Sequence, residues 1–297
     1  MKILLTGATG FIGAKLWSVL LHRGHDVIGV SRHPSAKNIG ASGARHVRYV
    51  MGEALPDSLV SFSPEVLVHL AWNGIPDFSA KTCAENVGAQ IRFLGETEKF
   101  KNLKKVLVSG SCLEYGDKKG LCHETEAVLP DSYFSWAKQT LSNYFRLFCQ
   151  QRHIGLLWFR LFYVYGPGQR SAALIPTLID VSRAGRKPEI KNPSASNDFI
   201  YIDDVLDAFV KGIEHRECSG VLNLGSGRPA SVLEVAQTVE NVLKGDTNYS
   251  NKHARTFEEE KLKSGMVADI SQAKSVLGWE PNTSLSEGIE KTWKLSA

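Results

Sequence analysis

Three glycines at intervals of three, Gly7, Gly10 and Gly13, interrupt the N-terminal apolar pattern of this chain. Before them Ile3 to Leu5 form a short apolar run, suited to a strand buried on both faces. After them Phe11, Ile12, Leu16, Val19 and Leu20 recur at helical spacing. Strand, glycine turn and helix together are suited to holding a phosphate. Gly7 permits the tight turn, Gly10 lets backbone N–H groups approach a pyrophosphate, and Gly13 lets the helix pack close to the strand. The helix start adds unpaired N–H groups and a positive dipole end. Dinucleotide binding is therefore expected, the plainer alternative being structural glycines in an ordinary α/β turn.

A second strand, His25 to Val30, ends in Ser31-Arg32-His33. An acidic residue at that tip accepts the ribose 2′-OH of NAD, whereas a basic one accommodates the 2′-phosphate of NADP. The tip carries no acid, so Ser31 and Arg32 point to NADP rather than NAD.

The elements that position these residues alternate along the chain. Strands are expected at His46–Met51, Glu65–Ala71, Lys104–Ser109 and Leu156–Phe162. Helices are expected through Asn86, Ile91 and Leu94, from about Asp131 to Gln151, and from Val232 to Leu243. Such alternation predicts an α/β fold with a doubly wound parallel sheet. Residues 1–165 read as a dinucleotide-binding domain. Residues 166–297, punctuated by Pro167, Pro176, Pro188 and Pro193, read mainly as a smaller substrate lobe with some chain returning to the first domain. The polar stretch Lys244 to Ser264 reads as a mobile surface loop.

Composition narrows the function classes. Of 297 residues, 35 are Lys or Arg and 31 Asp or Glu, an excess too small and too dispersed to argue for nucleic acid or an anionic membrane. No apolar run reaches membrane-spanning length, and a strand at residue 2 leaves no length for a signal peptide, so a cytoplasmic location is expected. Five cysteines without a CxxC pair read as reduced thiols, and no HExxH or Cys/His cluster suggests a metal.

Written out, the glycine loop is TGATGFIG, which resembles the extended branch of the short-chain dehydrogenase/reductase superfamily, the sugar-nucleotide epimerases and dehydratases. The resemblance implies that Gly7, Thr9, Gly10, Phe11, Ile12, Gly13, Ser31, Arg32, Leu70, Ala71 and Lys138 bind the cofactor. It also implies a Ser/Thr, a Tyr and a Lys for hydride chemistry, the last two four residues apart on one helical face. There the ammonium lowers the phenol pKa. Ser109-Gly110-Ser111-Cys112-Leu113-Glu114-Tyr115-Gly116 is similar to the family's SSxxVYG segment, which gives Ser111 the Ser/Thr role. Cys112 and Leu113 stand where 4,6-dehydratases carry Asp and Glu, so elimination chemistry is disfavoured. The form GSCxEYG resembles 4-keto-6-deoxy sugar nucleotide reductases of the CDP-abequose synthase kind.

The helix from Asp131 to Gln139 resembles the catalytic helix, with Lys138 in register and Phe134 where the tyrosine is expected. A phenyl ring cannot exchange a proton, and Tyr133 lies about 140° around the helix from Lys138. Three readings stay open: a substituted tyrosine in an ordinary enzyme, a proton carried by Tyr133, Tyr115, Tyr163 or water, or binding without turnover.

Arg160 to Gln169 resembles RxxNVYGPGQ with Tyr163 in place of Asn. Asn197 to Val205 resembles RDFIYVDDV with Asn197 in place of Arg. By resemblance Cys112, Tyr163 and Asn197 face the substrate, a nucleoside-diphosphate sugar, whereas Asp198, Asp203 and Asp204 are expected to hold the lobe together. Family members pair through the lysine-bearing helix, which implies a homodimer. The resulting expectation is an NADP-dependent oxidoreductase acting at sugar C4, with an NAD-dependent 4-epimerase or a non-catalytic dinucleotide-binding protein as alternatives.

Overall fold

The computed structural model describes residues 1–33, 45–215, 217–245 and 264–295. The N-terminal apolar run forms β1 (Lys2–Thr6) and the helical spacing after it forms α1 (Phe11–His22). Next come β2 (Asp26–Ser31), β3 (Arg45–Arg48), α2 (Asp57–Phe62), β4 (Val66–His69), α3 (Ala80–Glu96), β5 (Lys105–Ser109), β6 (Gly120–Cys122), α4 (Tyr133–Gln151) and β7 (Gly155–Leu161). The remainder is β8 (Tyr163–Tyr165), α5 (Leu174–Arg183), β9 (Ser196–Tyr201), α6 (Ile202–Glu214), β10 (Gly220–Leu224) and β11 (Pro229–Ser231). It closes with α7 (Val232–Leu243), β12 (Met266–Ala268), α8 (Ser271–Leu277) and α9 (Leu285–Leu295).

Seven strands build one sheet in the order β10-β7-β5-β4-β1-β2-β3. The ladders that join β3, β2, β1, β4, β5 and β7 are all parallel. This is the doubly wound, Rossmann-like sheet that the alternation predicts. Successive side chains of a strand feed opposite layers. On one face Leu4, Leu67, Val106, Val108 and Trp158 share a core with Phe93 and Leu94 of α3 and with Ala137, Leu141 and Phe145 of α4. On the other, Trp17 of α1 crosses β2 at Gly29, where a methyl group would stand 2.5 Å from the indole. A methyl group on Gly212 of α6 would stand 2.9 Å from Leu107, 3.0 Å from Leu157 and 3.1 Å from Phe159.

Several boundaries differ from the sequence reading for local reasons. The third strand spans Arg45–Arg48 rather than His46–Met51. α4 begins at Tyr133 because Ser132 caps it: its hydroxyl accepts from the Ser135 amide, and the Ser135 hydroxyl accepts from the Ser132 amide. The seventh strand, β10, went unread because Asn223 interrupts its apolar run. That side chain is fully buried and donates to the Cys122 carbonyl at 2.8 Å.

The chain forms two compact units that interleave across the expected division at residue 165. One comprises Met1–Asp117, Ala127–Arg160 and Leu206–Leu222, the other Lys118–Glu126, Leu161–Val205 and Asn223–Ala297. In the second unit β9 pairs parallel with β8 and antiparallel with β11, and β12 runs beside β6. Asp198 is the clasp of this unit. Its buried carboxylate accepts from the amides of Ser226, Gly227 and Ala268 and from the Ser226 hydroxyl. Asp204 accepts from the amides of Asn282 and Thr283, while Asp203 is exposed. Most of the stretch read as a mobile loop, 246–263, lies outside the described residues. No helix among the described residues is long and apolar enough to cross a membrane.

Candidate functional site

The order of the sheet reverses between β1 and β4, the crevice where open α/β sheets bind ligands. The glycine loop leaves β1 at this point. Gly7 takes a positive φ of 69°, and a Cβ on it would stand 2.9 Å from the Ala71 amide nitrogen at the exit of β4. A Cβ on Gly13 would come within 2.1 Å of the Gly7 carbonyl oxygen, so α1 seats on the loop only because position 13 has no side chain. The Gly10 amide donates to that same carbonyl at 2.9 Å, and Gly10 caps α1 without a side-chain acceptor. The first-turn amides of Phe11, Ile12 and Gly13, beside half-buried Thr9, thus form a cradle of donors at the helix start. It suits a dinucleotide pyrophosphate.

The exit of β4 is fixed from beneath. The Thr6 hydroxyl accepts from the amides of Leu70 (3.2 Å) and Ala71 (3.3 Å), so its own proton goes to His69 Nδ1 at 2.9 Å. His69 Nε2 then donates to Gln90 Oε1 at 2.9 Å, which fixes the neutral tautomer. Burial pushes this imidazole down to about 4, against the opposing pull of the Gln90 bond. Farther along, the backbone of Asn73 exchanges two hydrogen bonds with the buried Asn86 side chain. At the tip of β2, Arg32 donates to Asn73 Oδ1 at 2.6 Å, and the Ser31 hydroxyl lies 2.8 Å from His46 Nε2.

The lysine-bearing face of α4 lies close to this edge. Lys138 is only 6% exposed. Its Nζ donates to the Ser109 carbonyl at 2.9 Å, sits 4.5 Å from the Trp72 ring and lies 5.8 Å from Phe134. Phe134 packs edge-on to Trp72 (5.0 Å) and against Phe78 (4.5 Å). Burial brings the Lys138 ammonium down to about 8, with Glu114 pulling the other way. Ser111, two residues beyond Ser109, caps a 3-10 turn spanning Cys112–Tyr115. Its oxygen accepts from the Leu113 amide at 3.2 Å, which leaves the hydroxyl proton to donate elsewhere. Cys112 is buried within that turn.

The three tyrosines weighed as substitutes for a phenol lie in different settings. Tyr133 is 60% exposed and off the lysine face. Tyr115 is buried, with its ring under the Arg160 guanidinium at 4.5 Å and its hydroxyl bonded to it. Tyr163 belongs to the second unit, where it opens β8 and packs on Phe199 at 5.8 Å. Asn197 belongs there too, half-buried in β9 opposite Ala230.

Sequence reasoning missed the residues that make this environment. Trp72 and Phe78 come together only because the segment between β4 and α3 folds over α4. Glu114 was passed over as filler in a motif. Yet its fully buried carboxylate accepts from the Ser111 amide (2.9 Å), Trp158 Nε1 (2.9 Å) and Arg160 Nε (3.1 Å). The available signal was Arg160, a lone charge inside the apolar run Leu156–Phe162, which calls for a buried acid as partner.

Among known proteins, the dTDP-4-dehydro-6-deoxyglucose reductase of Escherichia coli is 26% identical over 98% of this chain and 96% of its own. A UDP-glucose 4-epimerase of Mycolicibacterium smegmatis is 28% identical over 98% and 97%. A tyrosine-to-phenylalanine variant of Bacillus cereus UDP-glucuronic acid 4-epimerase, solved with a UDP-4-deoxy-4-fluoro sugar acid and NAD, superposes with a TM-score of 0.82. It is 26% identical and covers 99% of this chain and 98% of its own. The family model described as NAD dependent epimerase/dehydratase matches residues 3–225, from β1 through β10. With its glycine cradle at the reversal of the sheet and a match running the length of that sheet, this chain belongs to the NAD dependent epimerase/dehydratase family.

Proposed function

We propose that this protein is an NADP-dependent oxidoreductase acting at C4 of a nucleoside-diphosphate sugar, reducing a 4-keto-6-deoxy sugar nucleotide. The observation that carries this is the placement of Ser111 and Lys138 at the exits of β5 and on α4, beside the β1–β4 glycine cradle. When bound, the dinucleotide supplies the hydride for C4. Gly7, Thr9, Gly10, Phe11, Ile12 and Gly13 would hold its pyrophosphate, Leu70 and Ala71 its flank, and Ser31 with Arg32 its 2′-phosphate. Ser111, with its hydroxyl proton uncommitted, would donate to the C4 oxygen and Lys138 would anchor the nicotinamide ribose. Cys112, Tyr163 and Asn197 are assigned to the sugar nucleotide.

The E. coli relative, named as a reductase of a 4-dehydro-6-deoxy sugar nucleotide, supports this reading. A 4-epimerase with NAD is the second reading, favoured by the names of the other two relatives and by the NAD bound in one of them. Tyr133, Trp136, Tyr144 and Leu147 make an exposed apolar stripe along α4, which supports a homodimer through that helix. The test is to follow NADPH and NADH absorbance with a panel of 4-keto-6-deoxy sugar nucleotides, alongside the chain's melting temperature with each cofactor. Preferential stabilisation by NADPH and its oxidation with one sugar is the expected result. NAD retained through purification, with interconversion of C4 epimers, would replace the reductase by the epimerase. Binding without turnover would leave a non-catalytic dinucleotide-binding protein.

A further inference from the structure

Position 134 supplies no phenol, and the tyrosines and the histidine of the first unit that flank this site are bonded elsewhere or lie off the lysine face. Tyr133 lies off the lysine face and in solvent. The Tyr115 hydroxyl is bonded to Arg160. Both ring nitrogens of His69 are engaged, by Thr6 and Gln90. Ser111 is an aliphatic alcohol, far too weak an acid to release a proton unaided. Lys138 remains, and its surroundings are unusual for a lysine. It is buried, it bonds a neutral carbonyl, and two aromatic rings cover it. Among the described residues no carboxylate lies within ion-pair distance of its Nζ.

We propose that the Lys138 ammonium, roofed by Trp72 and Phe134, is itself the proton donor to the C4 oxygen. The inference rests on the C4 chemistry proposed above. As the hydride reaches C4, an N–H bond at Lys138 Nζ breaks and an O–H bond forms at the oxygen that Ser111 holds. The neutral amine regains its proton from solvent once product leaves. Of its three hydrogens, one goes to the Ser109 carbonyl and one face of the ammonium meets the Trp72 ring. The third is shared between the nicotinamide ribose and the C4 oxygen, and it is the one transferred. The ionisable groups facing it are few: Glu114 from the 3-10 turn, already held by Arg160 and Trp158, and neutral His69 from β4. Burial, the dominant influence on this amine, brings it to about 8, so it is charged at neutral pH and a far better acid than a surface lysine. Phe134 fits this scheme: an apolar ring at that position keeps the amine dry, and a tyrosine would hydrate it and take over the proton.

The experiment joins a titration with kinetics. Protein carrying ¹⁵Nζ-lysine, loaded with NADP⁺, is titrated by NMR, with Lys138→Arg to assign the resonance. The basic limb of the kcat/KM profile is then recorded for the same protein and for Trp72→Ala, Trp72→Leu and Phe134→Tyr. The proposal expects Lys138 to titrate near 8, well below the surface lysines, with the kinetic limb at the same pH. Trp72→Ala admits water and moves both upward together. Trp72→Leu keeps the site dry but removes the π face, and moves both downward or leaves both in place. Phe134→Tyr separates the limb from the lysine titration. Lys138 titrating among the surface lysines would overturn the proposal, as would a limb that ignores Trp72 while turnover persists. Turnover surviving in Lys138→Met would overturn it too. If no form oxidises NADPH, the C4 reading falls and this inference with it, whereas a misplaced titration in an active enzyme sinks the inference alone.

Discussion

Two of the cations buried in the first unit, Arg160 and Lys138, are satisfied in opposite ways. Arg160 sits under full compensation: its Nε meets the Glu114 carboxylate at 3.1 Å, the same carboxylate takes the Trp158 N–H, and Tyr115 adds a ring face and a hydroxyl. Burial opposes its charge, but these partners outweigh burial and hold the guanidinium above its ordinary range. Lys138 has a carbonyl and two rings, and burial wins. A complete polar network fixes a fold, because every group in it loses by moving. An incompletely compensated ammonium lies close in free energy to its neutral form, and that is the condition for proton transfer.

The comparison is broken most forcefully from the Arg160 side. Glu114→Gln leaves a buried guanidinium without its counter-charge and is expected to lower stability by about 3–5 kcal/mol in urea unfolding. A loss below about 1 kcal/mol would mean that the ion pair is no more structural than the lysine.

His69 extends the contrast to a base with only neutral partners. Its folded-state value of about 4 lies below the ordinary 6.5, so the unfolded chain binds the proton first. Stability is therefore full above about 6.5 and falls as pH drops toward 4, by about 3 kcal/mol in all. Acid unfolding curves for the parent and for His69→Gln should diverge across that window, with the variant flatter.

Lys138→Met sharpens the other side. Removing an uncompensated charge should leave stability unchanged or raise it by up to about 2 kcal/mol at neutral pH, while turnover falls by about 10²-fold or more. Because its folded-state value of about 8 is depressed from 10.5, the parent alone should gain stability as pH rises from about 8 toward 10.5. A variant that unfolds more easily than the parent would show that the ammonium is structural. The smallest effect belongs to Tyr115→Phe. It deletes one bond to a guanidinium that keeps its carboxylate, at a cost of about 1.5 kcal/mol by thermal or urea unfolding.

Much of the fold was open to reading because parallel strands buried on both faces are written as unbroken apolar runs, as in Ile3–Leu5 and Val106–Val108. The glycine cradle was equally legible, since a missing side chain at positions 7 and 13 is itself a sequence fact. β10 was not, because its buried Asn223 looks like loop until Cys122 is seen to accept from it. Nor were the short strands of the second unit, whose pairing partners lie tens of residues away.

By itself, the sequence determined the alternation of strand and helix, the glycine turn after the first strand, and the position of Lys138 on the same helical face as Phe134, which lies four residues before it. All of these follow from periodicities of two or 3.6 residues within single elements. The environment of that lysine was decided only by tertiary structure. Trp72 belongs to the segment after β4, Ser109 to the end of β5, and Glu114 to a turn beyond it. The free energy of a buried charge depends on what surrounds it in space, and no spacing along a chain encodes that.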